Sequence, residues 1–174
     1  RVSCMDEHRK NVLLVNDLPC YGKVALNAVG PVLSAMGFEL YRLPTAIFSN
    51  TLNYDFAEAA DMTEYMRRAL AAWQARGVSF SGICTGYLHT PQQAELILSL
   101  LQRQTPAFVM VDPVMADHGR PYASMTPEIR AAVAQLCGQA DVIVPNALYA
   151  VSSSISFVIG TNATSSVSIV SPIS

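Results

Sequence analysis

The sequence predicts an α/β protein, a three-layer arrangement with a mostly parallel sheet and helices on both faces. Three observations carry this. Short β-branched runs alternate with stretches of helical periodicity through residues 11–144. The runs are apolar almost throughout, as in strands buried on both faces of a parallel sheet. The helical stretches carry recognisable start or stop residues. Five strands with four intervening helices then imply right-handed crossovers.

Residues 11–15, Asn-Val-Leu-Leu-Val, read as the first strand. A helix over 23–36 follows, with Val24, Ala28, Val32 and Met36 on one stripe and Gly37 as its stop. Pro31 interrupts that stripe and predicts a kink or a late start. Residues 38–43 read as the second strand. Met62, Tyr65, Met66, Ala69, Leu70 and Trp73 then recur at helical spacing, and Gly77 closes that helix. Residues 78–84 form the third strand. Thr90-Pro91-Gln92-Gln93 supplies an N-cap, a proline at the first helical position and a glutamine placed for a capping box. The stripe behind it is Ala94, Ile97, Leu98 and Leu101. Residues 107–111 are the fourth strand. Thr126-Pro127-Glu128 repeats the start signal before Ile129, Val133, Leu136 and Cys137, with Gly138 as the stop. Residues 141–144 are the fifth strand.

At 174 residues the sequence has about the length of one domain. Hydrophobic residues make up 51% and charged residues 14%, which excludes a disordered tail or a highly charged coiled coil. A net charge of -2 gives no electrostatic case for nucleic acid or an acidic membrane surface, so the expected ligand is small. The apolar runs are too short or too interrupted to span a membrane. Cys4, Cys20, Cys84 and Cys137 form no Cys-x-x-Cys, and His8, His89 and His118 add no zinc-ligand spacing. Residues 1–10 are a mixed-charge extension with no apolar core, so the expected compartment is the cytoplasm. Residues 151–174 are an atypical uncharged tail rich in Ser, Val and Ile. Its β-prone runs, 155–159 and 167–170, could add to the sheet, or the tail is a foreign ending; the second reading is favoured.

In an open parallel sheet, ligands bind beyond the carboxyl ends of the strands. Asn16-Asp17, Thr45, Phe48-Ser49-Asn50, Thr85-Gly86-Tyr87, Asp112 to Asp117 and Pro145-Asn146 all fall there. Two carboxylates on one loop, Asp112 and Asp117, suit a hard cation that neutralises phosphate oxygens. The bland alternative is that Asp112 caps a turn before Pro113 and that Asp117-His118-Gly119 is a solvated turn. Phe48 and Tyr87 could stack on a planar ring or belong to the core or its rim. Asp17 could meet a ligand hydroxyl or ring nitrogen, or cap the following helix. There is no Gly-x-Gly-x-x-Gly and no Walker A sequence, and Gly22-Lys23 alone is no phosphate loop.

Taken together and in order, Asn16-Asp17-Leu18 with Tyr21-Gly22-Lys23, Leu43-Pro44-Thr45-Ala46-Ile47-Phe48-Ser49-Asn50, Thr85-Gly86-Tyr87, Asp112-Pro113-Val114-Met115-Ala116-Asp117 and Ala140-Asp141-Val142-Ile143-Val144-Pro145-Asn146 resemble the pyridoxal (vitamin B6) kinase branch of the ribokinase-like superfamily. The resemblance covers residues 11–150 and matches the N-terminal part of such a kinase domain. It implies ATP-dependent phosphorylation of the 5′-hydroxymethyl group of pyridoxal, pyridoxine or pyridoxamine, with Mg²⁺, often a monovalent cation, and a homodimer. Position by position, it implies that Asp17 contacts the pyridine ring and that Ala46, Phe48 and Tyr87 pack against it. It implies that Asp112 and Asp117 form the cation and Mg-ATP loop, and that Asn146 is the asparagine of the Asn-x-x-Glu signature.

The departures are specific. The Ser-Asn-His-Thr-Gly stretch of the family reads Ser49-Asn50-Thr51-Leu52-Asn53, the glycine before the second aspartate is Ala116, the threonine before the Pro-Asn pair is Val144, and the signature glutamate is Tyr149. After Ala150 the sequence contains no Gly-rich anion hole followed by a catalytic aspartate, so a truncated ribokinase-like domain with little turnover of its own is expected. Two other readings compete: a degenerate, non-catalytic kinase fold that holds a B6-like ring or a partner subunit, and a hydroxymethylpyrimidine kinase.

Overall fold

Val12, Leu13, Leu14 and Val15 are all buried, as a central strand with cover on both faces requires. The computed structural model describes residues 11–51, 54, 56–117, 120–122, 124–144 and 168–169. The expected extension over 1–10, most of the 151–174 tail, Leu52, Asn53, Asn146 and Tyr149 lie outside the described residues.

The elements run β1 (Asn11–Pro19), α1 (Leu26–Ala35), β2 (Glu39–Phe48), β3 (Ala59–Asp61), α2 (Thr63–Ala75), β4 (Gly82–Thr85), α3 (Pro91–Arg103), β5 (Phe108–Val111), β6 (Ala116–Asp117), β7 (Arg120–Pro121), α4 (Pro127–Cys137), β8 (Val142–Ile143) and β9 (Ser168–Ile169). The main sheet has the order β3-β2-β1-β4-β5-β8-β9, parallel except for β3; β6 and β7 form a separate antiparallel ribbon. The α/β expectation holds. From the tail, Ser168–Ile169 lies parallel to β8 at the sheet edge.

The chain leaves β1 toward β2 on one side, then returns to β4 on the other. With right-handed crossovers, that reversal puts α1 on one face and α2, α3 and α4 on the other. The packing agrees. Val12, Leu14 and Leu26 form a small cluster under α1, while Leu13, Val15, Ile83, Met66, Ile97 and Ile129 belong to the large core on the opposite face. In open sheets of this kind such a reversal marks the place where ligands bind, here the carboxyl end of β1.

Several boundaries differ from expectation, each for a local reason. β1 and β2 run longer than the apolar runs suggested because they pair as far as Pro19 and Phe48. β4 is shorter: Val78 and Phe80 are buried, but they approach the sheet outside the ladder. The α1 stripe is corrected. Val24, Val32 and Met36 face solvent at 44%, 58% and 66% exposure, and Leu26 and Leu33 face the sheet instead. The helix starts late, after Ala25 in a left-handed conformation (φ 51°), with Pro31 inside it. Gly77, at φ 70°, ends α2 where a side chain would be strained.

Candidate functional site

The site grows from a break in sheet regularity. Asn16 pairs with Pro44, yet Leu18 pairs with Ile47, so β2 carries one more residue than β1 over this stretch. Pro44 cannot donate to a ladder, and prolines inside strands sit at such bulges. The bulge turns two successive residues inward: Thr45 and Ala46 are both fully buried. Phe48 follows at the strand end.

On the other side of β1, Thr85 ends β4 and Gly86-Tyr87 leaves the sheet. A Cβ at Gly86 would collide with the Asn16 amide, so only glycine admits that side chain. Asn16 Oδ1 then accepts from Tyr87 N at 2.8 Å and from Asp17 N at 3.0 Å, fixing the two outlets against each other.

Four aromatic or imidazole rings meet here. Phe48 and Tyr87 pack edge to face with centroids 5.7 Å apart. His89 lies 6.1 Å from Phe48, and Tyr122 lies 6.3 Å from Tyr87. With exposures of 4% and 3%, Phe48 and Tyr87 are buried side by side at this end of the sheet. The Tyr87 hydroxyl bonds His89 Nδ1 at 3.0 Å and Ser124 Oγ at 2.9 Å.

Electrostatics marks two carboxylates. Burial pushes the Asp17 carboxyl up to about 6, opposed by a hydrogen bond to its own backbone. Burial also raises the Tyr87 phenol; the Ser124 bond lowers it, and the Asp17 charge raises it further. Asp112 stands at the end of β5, with its backbone N–H donating to Thr85 O at 2.9 Å. Burial alone pushes its carboxyl up to about 6, and its charge adds to the burial that lifts the Cys137 thiol to about 11. Because β4 separates β1 from β5, the two carboxylates leave strands about 10 Å apart.

Among the described residues nothing donates to the Asp112 carboxylate, and the buried Thr85 hydroxyl has no partner either. Such hard oxygen atoms suit a cation like Mg²⁺, which binds a few carboxylates and keeps several waters. No cluster of three His, Cys, Asp or Glu occurs among the described residues, so any such ion would take further oxygen ligands from water or phosphate. Asp117 falls in β6, opposite Arg120 of β7.

Of the residues singled out by sequence, the structure thus brings Asp17, Ala46, Phe48, Tyr87 and Asp112 to one end of neighbouring strands. It places Asp117 in the adjoining ribbon, and Asn146 lies outside the described residues. Sequence reasoning missed His89, Gln93, Tyr122 and Ser124. A cleft of about 390 Å³ at the opposite end of the sheet, lined by residues such as Asn11, Ser81, Arg103 and Gln104, holds none of the candidates.

No protein-family model matches the chain. A pyridoxine/pyridoxal/pyridoxamine kinase of Bordetella avium is 31% identical over 118 residues, 63% of this chain and 40% of that protein. The pyridoxal kinase of Lactobacillus plantarum superposes with a TM-score of 0.76 at 32% identity, covering 81% of this chain and 51% of that one. A Bacteroides thetaiotaomicron protein described as a phosphomethylpyrimidine kinase, crystallised with pyridoxal, superposes with a TM-score of 0.76 at 36% identity, covering 80% of this chain and 50% of that one. The chain therefore spans about half, or less, of the length of the relatives it matches. Sequence motifs, strand order and these likenesses agree: the chain is similar to the N-terminal portion of pyridoxal kinases and shares their ribokinase-like α/β fold.

Proposed function

We propose that this chain provides the vitamer-recognition part of an ATP-dependent kinase that phosphorylates the 5′-hydroxymethyl group of pyridoxal, pyridoxine or pyridoxamine. The observation that carries it is the meeting of Asp17 with the Phe48–Tyr87 pair at the carboxyl end of β1, where the strand order reverses. Asp17 would take a polar edge of the pyridine ring. Ala46 leaves room for the ring, and Phe48 and Tyr87 supply the apolar floor. Asp112 and Asp117, with Asn146 from the signature stretch, would hold the Mg-ATP end and, in the same loop, a monovalent cation. In-line phosphoryl transfer needs positioning and charge neutralisation more than covalent chemistry; these residues would supply positioning and, through the cation the aspartates would hold, part of the neutralisation. A cytoplasmic homodimer completes the reading. No described helix is long and apolar enough to cross a membrane.

The test is titration calorimetry with pyridoxal, alongside hydroxymethylpyrimidine, followed by a coupled assay with ATP and Mg²⁺. Expected are saturable binding of pyridoxal, weaker binding of the pyrimidine, and little turnover by this sequence assayed alone. Absence of pyridoxal binding overturns the reading. Preference for the pyrimidine would move it to the pyrimidine kinases. Tyr149 in place of the signature glutamate favours a second reading, a non-catalytic binding module; vigorous turnover would exclude that.

A further inference from the structure

We infer that Gln93, acting with Thr45, is a positioning residue of the ring-binding site: its buried amide sets the spacing between the β2 wall and the segment that follows β4. This deepens the function proposed above and rests on it. Gln93 is fully buried in the first turn of α3. The start signal suggested a capping box, in which its side chain would return to the N-cap N–H of Thr90. It reaches one residue further. Gln93 Oε1 accepts from His89 N at 2.8 Å, and Thr90 makes no side-chain cap bond.

The other end of the amide faces β2. Gln93 Nε2 lies 2.8 Å from Thr45 O, 3.0 Å from Thr63 Oγ1 and 3.1 Å from Asp61 Oδ1. Two N–H groups thus serve three acceptors, with the β2 carbonyl the shortest. Thr45 returns the connection, its hydroxyl donating to Tyr87 O at 2.8 Å. The two walls of the site are therefore joined twice through buried side chains. Phe48 lies three residues past Thr45 on one wall, and Tyr87 and His89 stand on the other. A satisfied buried network of this kind is stiff, and losing one member leaves its partners unpaired. A helix cap would need none of these partners. The bulge at Thr45–Ala46, which turns the threonine inward, gains a purpose by the same account.

Gln93→Met keeps the volume and removes every bond, while Thr45→Val and Thr45→Ser separate the loss of the hydroxyl from its retention. Amide exchange is read at His89, which Gln93 holds, and at Tyr87 and Ile83, which it does not. Gln93→Met is expected to speed exchange at His89 by about tenfold or more, with Ile83 unchanged. Pyridoxal binding should weaken by about tenfold in Gln93→Met and Thr45→Val and recover in Thr45→Ser. Equal loosening at Ile83, or wild-type protection at His89, overturns the inference. So does unchanged pyridoxal affinity in both variants when the wild type binds. A wild type that binds no pyridoxal overturns the function proposed above, and the exchange data then decide by themselves whether Gln93 holds the segment.

Discussion

The carboxylate of Asp17, near the end of β1, stands close enough to the phenol of Tyr87, two residues past β4, for its charge to help keep that hydroxyl protonated. The Asn16 amide oxygen enforces the relation by accepting the backbone N–H of both residues. One strand end and the next are thus read as a unit, with an acid beside an aromatic floor.

Asp17 is held in a place that disfavours its charge, and that predicts a pH dependence. Its folded-state pKa of about 6 exceeds the unfolded value, so the folded chain keeps the proton to higher pH than the unfolded chain does. Stability from this group is complete below about pH 4 and is lost as pH rises through about 6. Urea titrations should find Asp17→Asn more stable than the wild type by about 1–2 kcal/mol at pH 7.5, after allowing for partial exposure, and no different near pH 4. A constant gap at both values would contradict the assignment.

Asp112 predicts a cation response. Its buried carboxylate lacks a described partner, so an ion that supplies positive charge should stabilise the folded state by mass action. Millimolar Mg²⁺ should raise the melting temperature of the wild type by a few degrees and leave Asp112→Asn unmoved. An equal rise in both places the ion elsewhere.

The two sides of α1 give a third test. Val32 is 58% exposed and Leu26 is 4% exposed, the reverse of what the Val24–Val32–Met36 stripe suggested. Val32→Glu should change stability by no more than about 0.5 kcal/mol, whereas Leu26→Ala should cost about 2–4 kcal/mol. Urea midpoints at constant m-value decide it.

A fourth concerns α4, where the Thr126 hydroxyl accepts from Ile129 N at 3.4 Å. The bond is long, so Thr126→Ala should cost about 0.5–1 kcal/mol, read by thermal denaturation. A loss several times larger would mean that Thr126 does more than cap.

Where one local rule dominated, the fold was legible in advance. Continuous apolar runs located the central strands, and Pro91 and Pro127 after a threonine located two helix starts. Misreadings arose where two rules competed. Helix α1 has no charged residue, so nothing in its composition marks the solvent face, and the side facing the sheet was set by packing over β1. The short antiparallel β3 carries no β-branched residue and is specified by its pairing with Ala46–Phe48. In the site, Asp17, Phe48, Tyr87 and Asp112 were readable because they sit where parallel strands end. His89 and Gln93 were not, since a lone histidine and a cap-like glutamine acquire their roles only through partners far back in the chain, Phe48 and Thr45. The Gln93 signal was present in the start motif, but its side chain bonds one residue earlier than the motif implied.

Recognition of pyridoxal at the carboxyl ends of β1, β2 and β4, as proposed above, can be read residue by residue. Its most direct test is a pyridoxal titration of the isotopically labelled chain followed by NMR. The largest shifts are expected on Asp17, Phe48, Tyr87 and His89, saturating together. Shifts centred instead on Asn11, Ser81 and Gln104, at the opposite end of the sheet, or no shifts at all, would contradict it.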